Sequence, residues 1–412
     1  MAIIKAFKGV RPKTELAQQV ASLPYDVMNT AEAKEMAKGN PYSFLHVSRA
    51  EIDLPVGTDE HSQQVYNKAK ETFYKMISDG VLAQDGQPLI YIYAQEMNGR
   101  KQFGLVACSS IDDYFNDVIK KHELTRPEKE QDRIEHMQTL QAHVGPIFLT
   151  YPKNNDIDAI VENVVVYQKP VYDFTADDNI QHTVWVISES DAIENILSIF
   201  ALQIPYTYIA DGHHRTASAA KVGQKMREQN PAHTGQEEYN FFLSVLFPDN
   251  QLAIMDYNRV VKNLNGNTTE GFLQKAGQHF SISKTSNKKP AQLHQITMYL
   301  DGSWYELIPK EGSFTNDAVG VLDISILQNN LLNPVLGIAD PRTDKRIDFI
   351  GGIRGLEELE RRVDSGEMKV AFALYPVSLQ QLMDIANSGN IMPPKSTWFE
   401  PKLRDGLFSH LF

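Results

Sequence analysis

The sequence predicts a mixed α/β protein of more than one lobe, and three observations carry that expectation. Apolar runs of strand length, among them PLIYIYAQE, QFGLVACSS, PIFLTYP and NFFLSVLFP, alternate with longer segments whose apolar residues recur at helical spacing. Asn98-Gly99 and Asp301-Gly302 each stand between two β runs, where a tight hairpin needs residues that tolerate positive φ, so part of the sheet is antiparallel. At 412 residues the chain exceeds what one core usually organises, which favours two or three lobes.

Taken in order, AIIKAF reads as a strand, AEAKEMAKG as a helix and SFLHVS as strand-like. A longer helix over SQQVYNKAKETFYKMISDG repeats Val65, Ala69, Phe73 and Ile77 every four residues, which builds one apolar face. After the first hairpin the text becomes densely charged, KKHELTRPEKEQDRIEHMQTLQAH, and Pro127 is expected to break the chain before a helix beginning near Glu128. PIFLTYP, the helix DIDAIVENV, the β runs KPVYDFT and HTVWVIS and the helix DAIENILSIF then lead to YTYIADGHHRTASAA, a strand running into a helix. NPAHTGQEE reads as a solvated loop and NFFLSVLFP as a buried strand. Beyond Thr268 a further α/β lobe follows, with the helix GFLQKAGQHF, the hairpin of ITMYL and SWYELIP, a helix near VLDISILQNNLL and a turn at Asp340-Pro341. Weak composition changes near residues 115 and 265 divide the chain into lobes 1–115, 116–265 and 266–412.

The net charge of -12 opposes a nucleic-acid function, since displacing counterions from phosphates requires a strongly basic face. The single cysteine, Cys108, excludes an intramolecular disulfide and any Cys-rich zinc site, and its apolar surroundings predict a buried, inert thiol. The opening MAIIKAFKGVRPK has too short an apolar run for a signal peptide, and no window approaches the roughly 20 apolar residues that span a bilayer. A cytoplasmic protein acting on small molecules, with neither nucleic acid nor membrane as partner, is the expectation.

The chemistry concentrates at Asp211-Gly212-His213-His214-Arg215. A helix start leaves backbone N–H groups without partners and carries partial positive charge, so Gly212, His213 and His214, with Thr216 following, can present donors to an anion. Arg215 adds a planar fork suited to phosphate or carboxylate oxygens. Asp211 has three readings: a helix cap contributing about 1 kcal/mol, a ligand that recruits Mg2+, or a general base. Adjacent histidines point about 100° apart on a helix, unlike a metalloprotease pair, so zinc is disfavoured. Upstream, Lys121, His122, Glu123, Arg126, Lys129, Arg133 and His136 form either a solvated charged face or, since Lys129, Arg133 and His136 share one helical face, a wall of an anion pocket. LPYDV with Asp26, and LHVSRAEID with Arg49 and Glu51, read equally as turns and surface pairs. MPPKSTWFEPKL is a proline-stiffened loop whose Lys395, Ser396 and Thr397 could line a substrate site, with Lys402 close behind. No Walker sequence, Gly-x-Gly-x-x-Gly or Gly-x-Ser-x-Gly is present.

ADGHHRTASAA resembles the phosphate-binding strand-to-helix box of the ParB and sulfiredoxin-like superfamily. The wider set LPYDV, HVSRAEID, KKHELT, the box and MPPKSTWFEPKL is similar, over nearly the whole chain, to a bacterial and protist family related to free-serine kinases, including pyrophosphate-dependent serine kinases. The resemblance implies a ParB/sulfiredoxin-like core with a mixed sheet, and transfer of phosphate from pyrophosphate to L-serine with Mg2+. It carries the acid of the box onto Asp211, the phosphate contacts onto Gly212, His213, His214, Arg215 and Thr216, and the upstream glutamate onto Glu123, with Glu128 or Glu130 as alternatives. Arg126, Lys129, Arg133 and His136 would stand opposite, around the phosphates. Rival readings are an ADP- or ATP-dependent serine kinase, a phosphoserine or other phosphomonoester hydrolase, and a ParB-like nucleotide switch.

Overall fold

The computed structural model describes residues 1–412, and their contacts form two units, Met1–Leu252 together with Pro401–Phe412, and Ala253–Glu400. The fold is mixed α/β in both units, as expected. The expected boundary near 265 lies inside the second unit, and residue 115 lies within the first, between two strands of one sheet.

The first unit is organised by a nine-stranded sheet. Its strands are β1 (Ile4–Lys5), β2 (Ile90–Met97), β3 (Arg100–Ser110), β4 (Ile119–Lys120), β5 (Ile147–Tyr151), β6 (Tyr172–Thr175), β7 (Gln181–Ile187), β8 (Thr207–Asp211) and β9 (Phe241–Pro248). They lie in the order β4-β8-β5-β9-β3-β2-β7-β6, with β1 on β3. The pairs β4 with β8 and β5 with β9 are parallel and the others antiparallel, so the sheet is mixed. Asn98 and Gly99 join β2 to β3 with φ of 53° and 75°, the left-handed pair that a two-residue hairpin turn requires.

Strand alternation sorts the two faces. Ile90, Ile92, Leu105, Ala107, Ile147, Leu149 and Ile209 share a core with apolar residues of α3 (Asn155–Tyr167) and α4 (Ser190–Gln203); the helices labelled α1 (Gln63–Ser78) and α2 (Pro127–Leu140) precede them. The intervening Tyr91 and Tyr93 face the opposite side, where Phe408 meets them at ring distances of 5.1 and 6.1 Å. Residues 401–412 therefore belong to that second face. Cys108 is buried within the sheet, and burial holds its thiol well above the ordinary cysteine range, consistent with an inert group.

Two local expectations change. SFLHVS is helical rather than extended, with Leu45–Ser48 a turn of helix running into a 3-10 turn at Ala50–Asp53. Phe44 and Val47 join one core and Leu45 another, and a three-residue repeat on one face is available to a helix but not to a strand. Pro127 does not precede its helix but occupies the first turn of α2, where its missing N–H has no partner to lose.

The second unit contains a six-stranded sheet of β10 (Tyr257–Val261), β11 (Phe280–Lys284), β12 (Ile296–Leu300), β13 (Ser303–Pro309), β14 (Ile347–Gly351) and β15 (Val370–Ala373), in the order β11-β13-β12-β15-β10-β14. All its pairs are antiparallel, and Asp301-Gly302 makes the β12-β13 turn with φ of 47° and 74°.

Backbone packs closely on backbone where α5 (His213–Gln229) crosses Tyr239. An added Cβ at Gly223 would lie 2.2 Å from the Tyr239 carbonyl oxygen and 2.8 Å from Ile111 Cδ1. Gly223→Ala is expected to destabilise the first unit by about 1–3 kcal/mol through overpacking. The measurement is a lower urea midpoint at unchanged slope, and an unchanged midpoint would contradict the close approach.

Candidate active site

The site begins with a fault in the sheet. β8 pairs with β5 as Ile209 opposite Leu149 and Asp211 opposite Phe148, so one extra residue is accommodated at Ala210. In a regular strand, residues two apart share a face, and Asp211 would follow Ile209 into the apolar core. The bulge instead turns the carboxylate onto the Phe148 face, the side on which residues 401–412 lie. There Lys402 Nζ is 3.7 Å from Asp211 Oδ2.

Gly212 then takes φ of 95° as the N-cap of α5. The cap residue has no side chain, and Asp211 stands one position earlier, so capping alone does not account for the acid. Arg215 closes the turn from inside and is only 4% exposed. Its Nη1 donates to the Pro146 carbonyl at 2.7 Å, and Nη2 faces Asp211 Oδ2 at 3.4 Å. A Cβ at Gly212 would meet Arg215 Nε at 3.2 Å, and one at Gly145 would meet Asp405 Oδ1 at 3.2 Å, so both glycines make room for this buried charge. The Thr216 hydroxyl donates to the Gly212 carbonyl at 2.9 Å and stiffens the first turn.

His213 and His122 fill the next layer, at 6% and 1% exposure. Their rings meet edge to face, 4.4 Å apart. His213 Nδ1 lies 3.7 Å from Glu123 Oε2, whereas His213 Nε2 and both nitrogens of His122 are buried without hydrogen-bond partners. Burial, reinforced by His214, lowers the His213 pKa to about 3, and burial together with His213 holds His122 well below its ordinary value despite Asp211. Both rings are therefore neutral at pH 7. His214 accepts a hydrogen bond from the Arg126 backbone N–H at 3.0 Å, which ties the 120–126 loop to the helix start. Burial, then Arg126, lowers its pKa too.

The structure thus gathers Asp211, Gly212, His213, His214, Arg215, Thr216 and Glu123 at one turn, with the Arg126 backbone attached. Glu130 is engaged elsewhere, accepting from Lys221 and Thr125 and bracing α2 against α5, while Glu128 is exposed and 3.8 Å from Arg126. Lys129, Arg133 and His136 do share one face, but they line a separate pocket with Arg49, Glu51 and Asp132. The Lys395, Ser396 and Thr397 stretch belongs to the second unit, where Arg259 Nη2 donates to the Lys395 carbonyl at 2.8 Å.

Residue order alone does not join four further residues to this turn: His122, Asp26 and Lys402 are among the sequence candidates without that placement, and Asp405 is not among them. His122 was read within a charged run, although the run continues from a β-prone segment. Asp26 of LPYDV, read as a turn, acts electrostatically on Arg215 and His214. Lys402 and Asp405 come from the far end of the chain, and no local signal joins them to residue 211.

Burial of neutral imidazoles makes the first unit acid-sensitive. His136, His182 and His213 have folded pKa values near 3, and His122 and His143 also lie well below the unfolded value of 6.5, each chiefly through burial. The unfolded chain then binds more protons, so their contribution is complete above pH 6.5 and is lost as pH falls toward 3. Asp113, raised to about 6, and Asp405, raised to about 7, both by burial, act in the opposite direction between the unfolded value of 3.8 and those values. Five histidines outweigh two acids, so the urea midpoint is expected to fall between pH 6.5 and 4 and more steeply below 4. A midpoint constant over that range would show that these rings are not buried neutral.

No curated protein shows significant sequence similarity to the chain. Among solved structures, a free serine kinase variant in complex with AMP aligns at TM-score 0.37 and 11% identity, covering 76% of this chain and 88% of that one. A conserved hypothetical protein from Pyrococcus furiosus aligns at TM-score 0.35 and 13% identity, covering 75% and 95%. SbnI with a C-terminal truncation, from Staphylococcus aureus, aligns at 0.33 and 12%, covering 74% and 87%. No helix is long and apolar enough to cross a membrane. Residues 4–325 match the family described as "Protein of unknown function (DUF1015)", and the chain belongs to that family.

Proposed function

We infer that the protein is a phosphotransferase that makes O-phospho-L-serine from free L-serine with inorganic pyrophosphate as donor. The observation that carries the reading is the helix-start turn at Gly212, where buried imidazole nitrogens without partners border two carboxylates, Asp211 and Glu123. Unmet buried donors and acceptors cost roughly 1–3 kcal/mol each, and a bound polar ligand relieves that cost. Amides at a helix start with neutral imidazole N–H groups suit phosphate oxygens, because phosphoryl transfer asks mainly for positioning and charge stabilisation. Serine as acceptor, pyrophosphate as donor and a ParB-like core are supported by the sequence resemblance described above.

In this mechanism the serine Oγ attacks one phosphorus of pyrophosphate. The Oγ–P bond forms, the bridging P–O bond breaks, orthophosphate leaves, and the hydroxyl proton passes to a carboxylate. Glu123 suits that task, being partly exposed and beside a neutral histidine, so the proton has a route to water. Asp211 lies close to two cations, Arg215 and Lys402. Mg2+ typically takes one or two carboxylates plus phosphate oxygens, and Asp211 is the residue that would hold it. When bound it would neutralise charge on the phosphates.

The test incubates the protein with L-serine, Mg2+ and pyrophosphate, ATP or ADP, following phosphoserine by mass spectrometry. Product from pyrophosphate alone is expected; product from a nucleotide alone replaces the donor, and no product from any of the three sinks the reading. Run with O-phosphoserine, the reverse assay should give pyrophosphate only when orthophosphate is added, whereas phosphate-independent serine release marks a hydrolase. Asp211→Asn should lower turnover by at least about 100-fold while the far-UV spectrum is retained.

A further inference from the structure

A second pocket in the first unit is built from groups that the phosphate turn does not use. It encloses about 40 Å³ between the Leu45–Ser48 helix with its following turn, the start of α1 and the outer face of α2. About 10–15 Å³ admits one water, so the space holds roughly three water-sized groups, the size of a small polar headgroup.

Its lining carries both signs of charge in fixed positions. Arg49 is held by Glu51 at 2.8 Å and Glu60 at 3.2 Å, and donates to Thr30 Oγ1 at 2.9 Å. Asp132 accepts from the Tyr66 hydroxyl at 2.8 Å and pairs with Arg133 at 2.5 Å and His61 at 2.7 Å. The Arg133 guanidinium lies over the Tyr25 ring at 4.0 Å. Lys129 also lines the pocket and makes no ion pair. Hydrogen-bonding capacity is left over: Ser48 Oγ, on a residue 7% exposed, is buried without a hydrogen-bond partner.

Three cations and three carboxylates on one lining discriminate among ligands. A phosphate would meet Glu51, Glu60 and Asp132, and an apolar group would strip water from six charges for nothing. A small zwitterion matches, with its carboxylate toward Lys129 and Arg49 and its ammonium toward Glu51 and Glu60. The pocket is also next to the phosphate turn, because Lys129 acts electrostatically on His214, and Tyr25 on both Arg133 and Arg215.

We propose that this pocket is the acceptor subsite, which holds a free α-amino acid by its ammonium and carboxylate and leaves its side-chain hydroxyl toward the turn at Gly212. This rests on the phosphotransferase reading and assigns to Arg49, Glu51, Glu60 and Lys129 the substrate recognition expected at Lys395, Ser396 and Thr397.

Calorimetry on the full chain without donor provides the test, using L-serine, ethanolamine and 3-hydroxypropionate. L-serine should bind at least about tenfold more tightly than either singly charged analogue, and Glu60→Gln and Arg49→Lys should each weaken it at least about tenfold, the effect of losing one good charge contact. Glu60 is half exposed, so its variant is expected to fold, and pyrophosphate affinity in Glu60→Gln should be unchanged. If the wild type makes phosphoserine but both variants keep the normal KM for serine, the subsite is wrong and the kinase reading stands. If the wild type makes no phosphoserine, the twenty L-amino acids are titrated instead. Binding of one of them that Arg49→Lys abolishes keeps the subsite, and binding of none overturns it.

Discussion

Everything at the Gly212 turn depends on keeping one guanidinium charged out of water. Arg215 is held by the Pro146 carbonyl and by Asp211, with Asp26 and Asp405 adding to the field around it. Stripping an isolated cation of its hydration is expensive, and the compensation has to come from several directions at once. Those directions are a loop before β5, the end of β8, the turn at residues 25–26 and the last dozen residues. The arginine therefore does more than offer a fork to a ligand, because it holds together the segments that meet at the turn.

The charged and neutral parts of the site are separated by layer. Cations and carboxylates stand where Asp211, Lys402 and Arg215 meet, while His122 and His213 are kept neutral by burial. Neutral imidazoles retain one donor and one acceptor each, and so can respond to a ligand without carrying a permanent charge. The bulge at Ala210 makes the separation possible, since it places an acid two residues from a core isoleucine yet on the opposite face.

Much of this was legible from residue order alone. The Asn-Gly and Asp-Gly hairpins, the β8-to-α5 transition and the buried Cys108 follow from turn chemistry and periodicity, which act over a few residues. The partners of Asp211 were not legible, because Lys402 is brought near by the tertiary fold. Arg215 illustrates the same limit, for its residue type suggested a ligand contact whereas its burial and its bond to Pro146 are set by packing. The helical Leu45–Ser48 segment escaped as well, since two separate cores, rather than local propensity, decide its conformation.

The first unit is discontinuous in sequence, with residues 253–400 lying between its two parts. On the ribosome the nine strands of the large sheet are all synthesised before Lys402, Arg404 and Asp405 exist. Tyr91 and Tyr93 wait for Phe408 over the same interval. A nascent chain can thus hold the whole β8-to-α5 turn and still lack Lys402 beside it, so the surroundings of Asp211 are completed by the same late segment that covers Tyr91 and Tyr93 on the second face of the sheet.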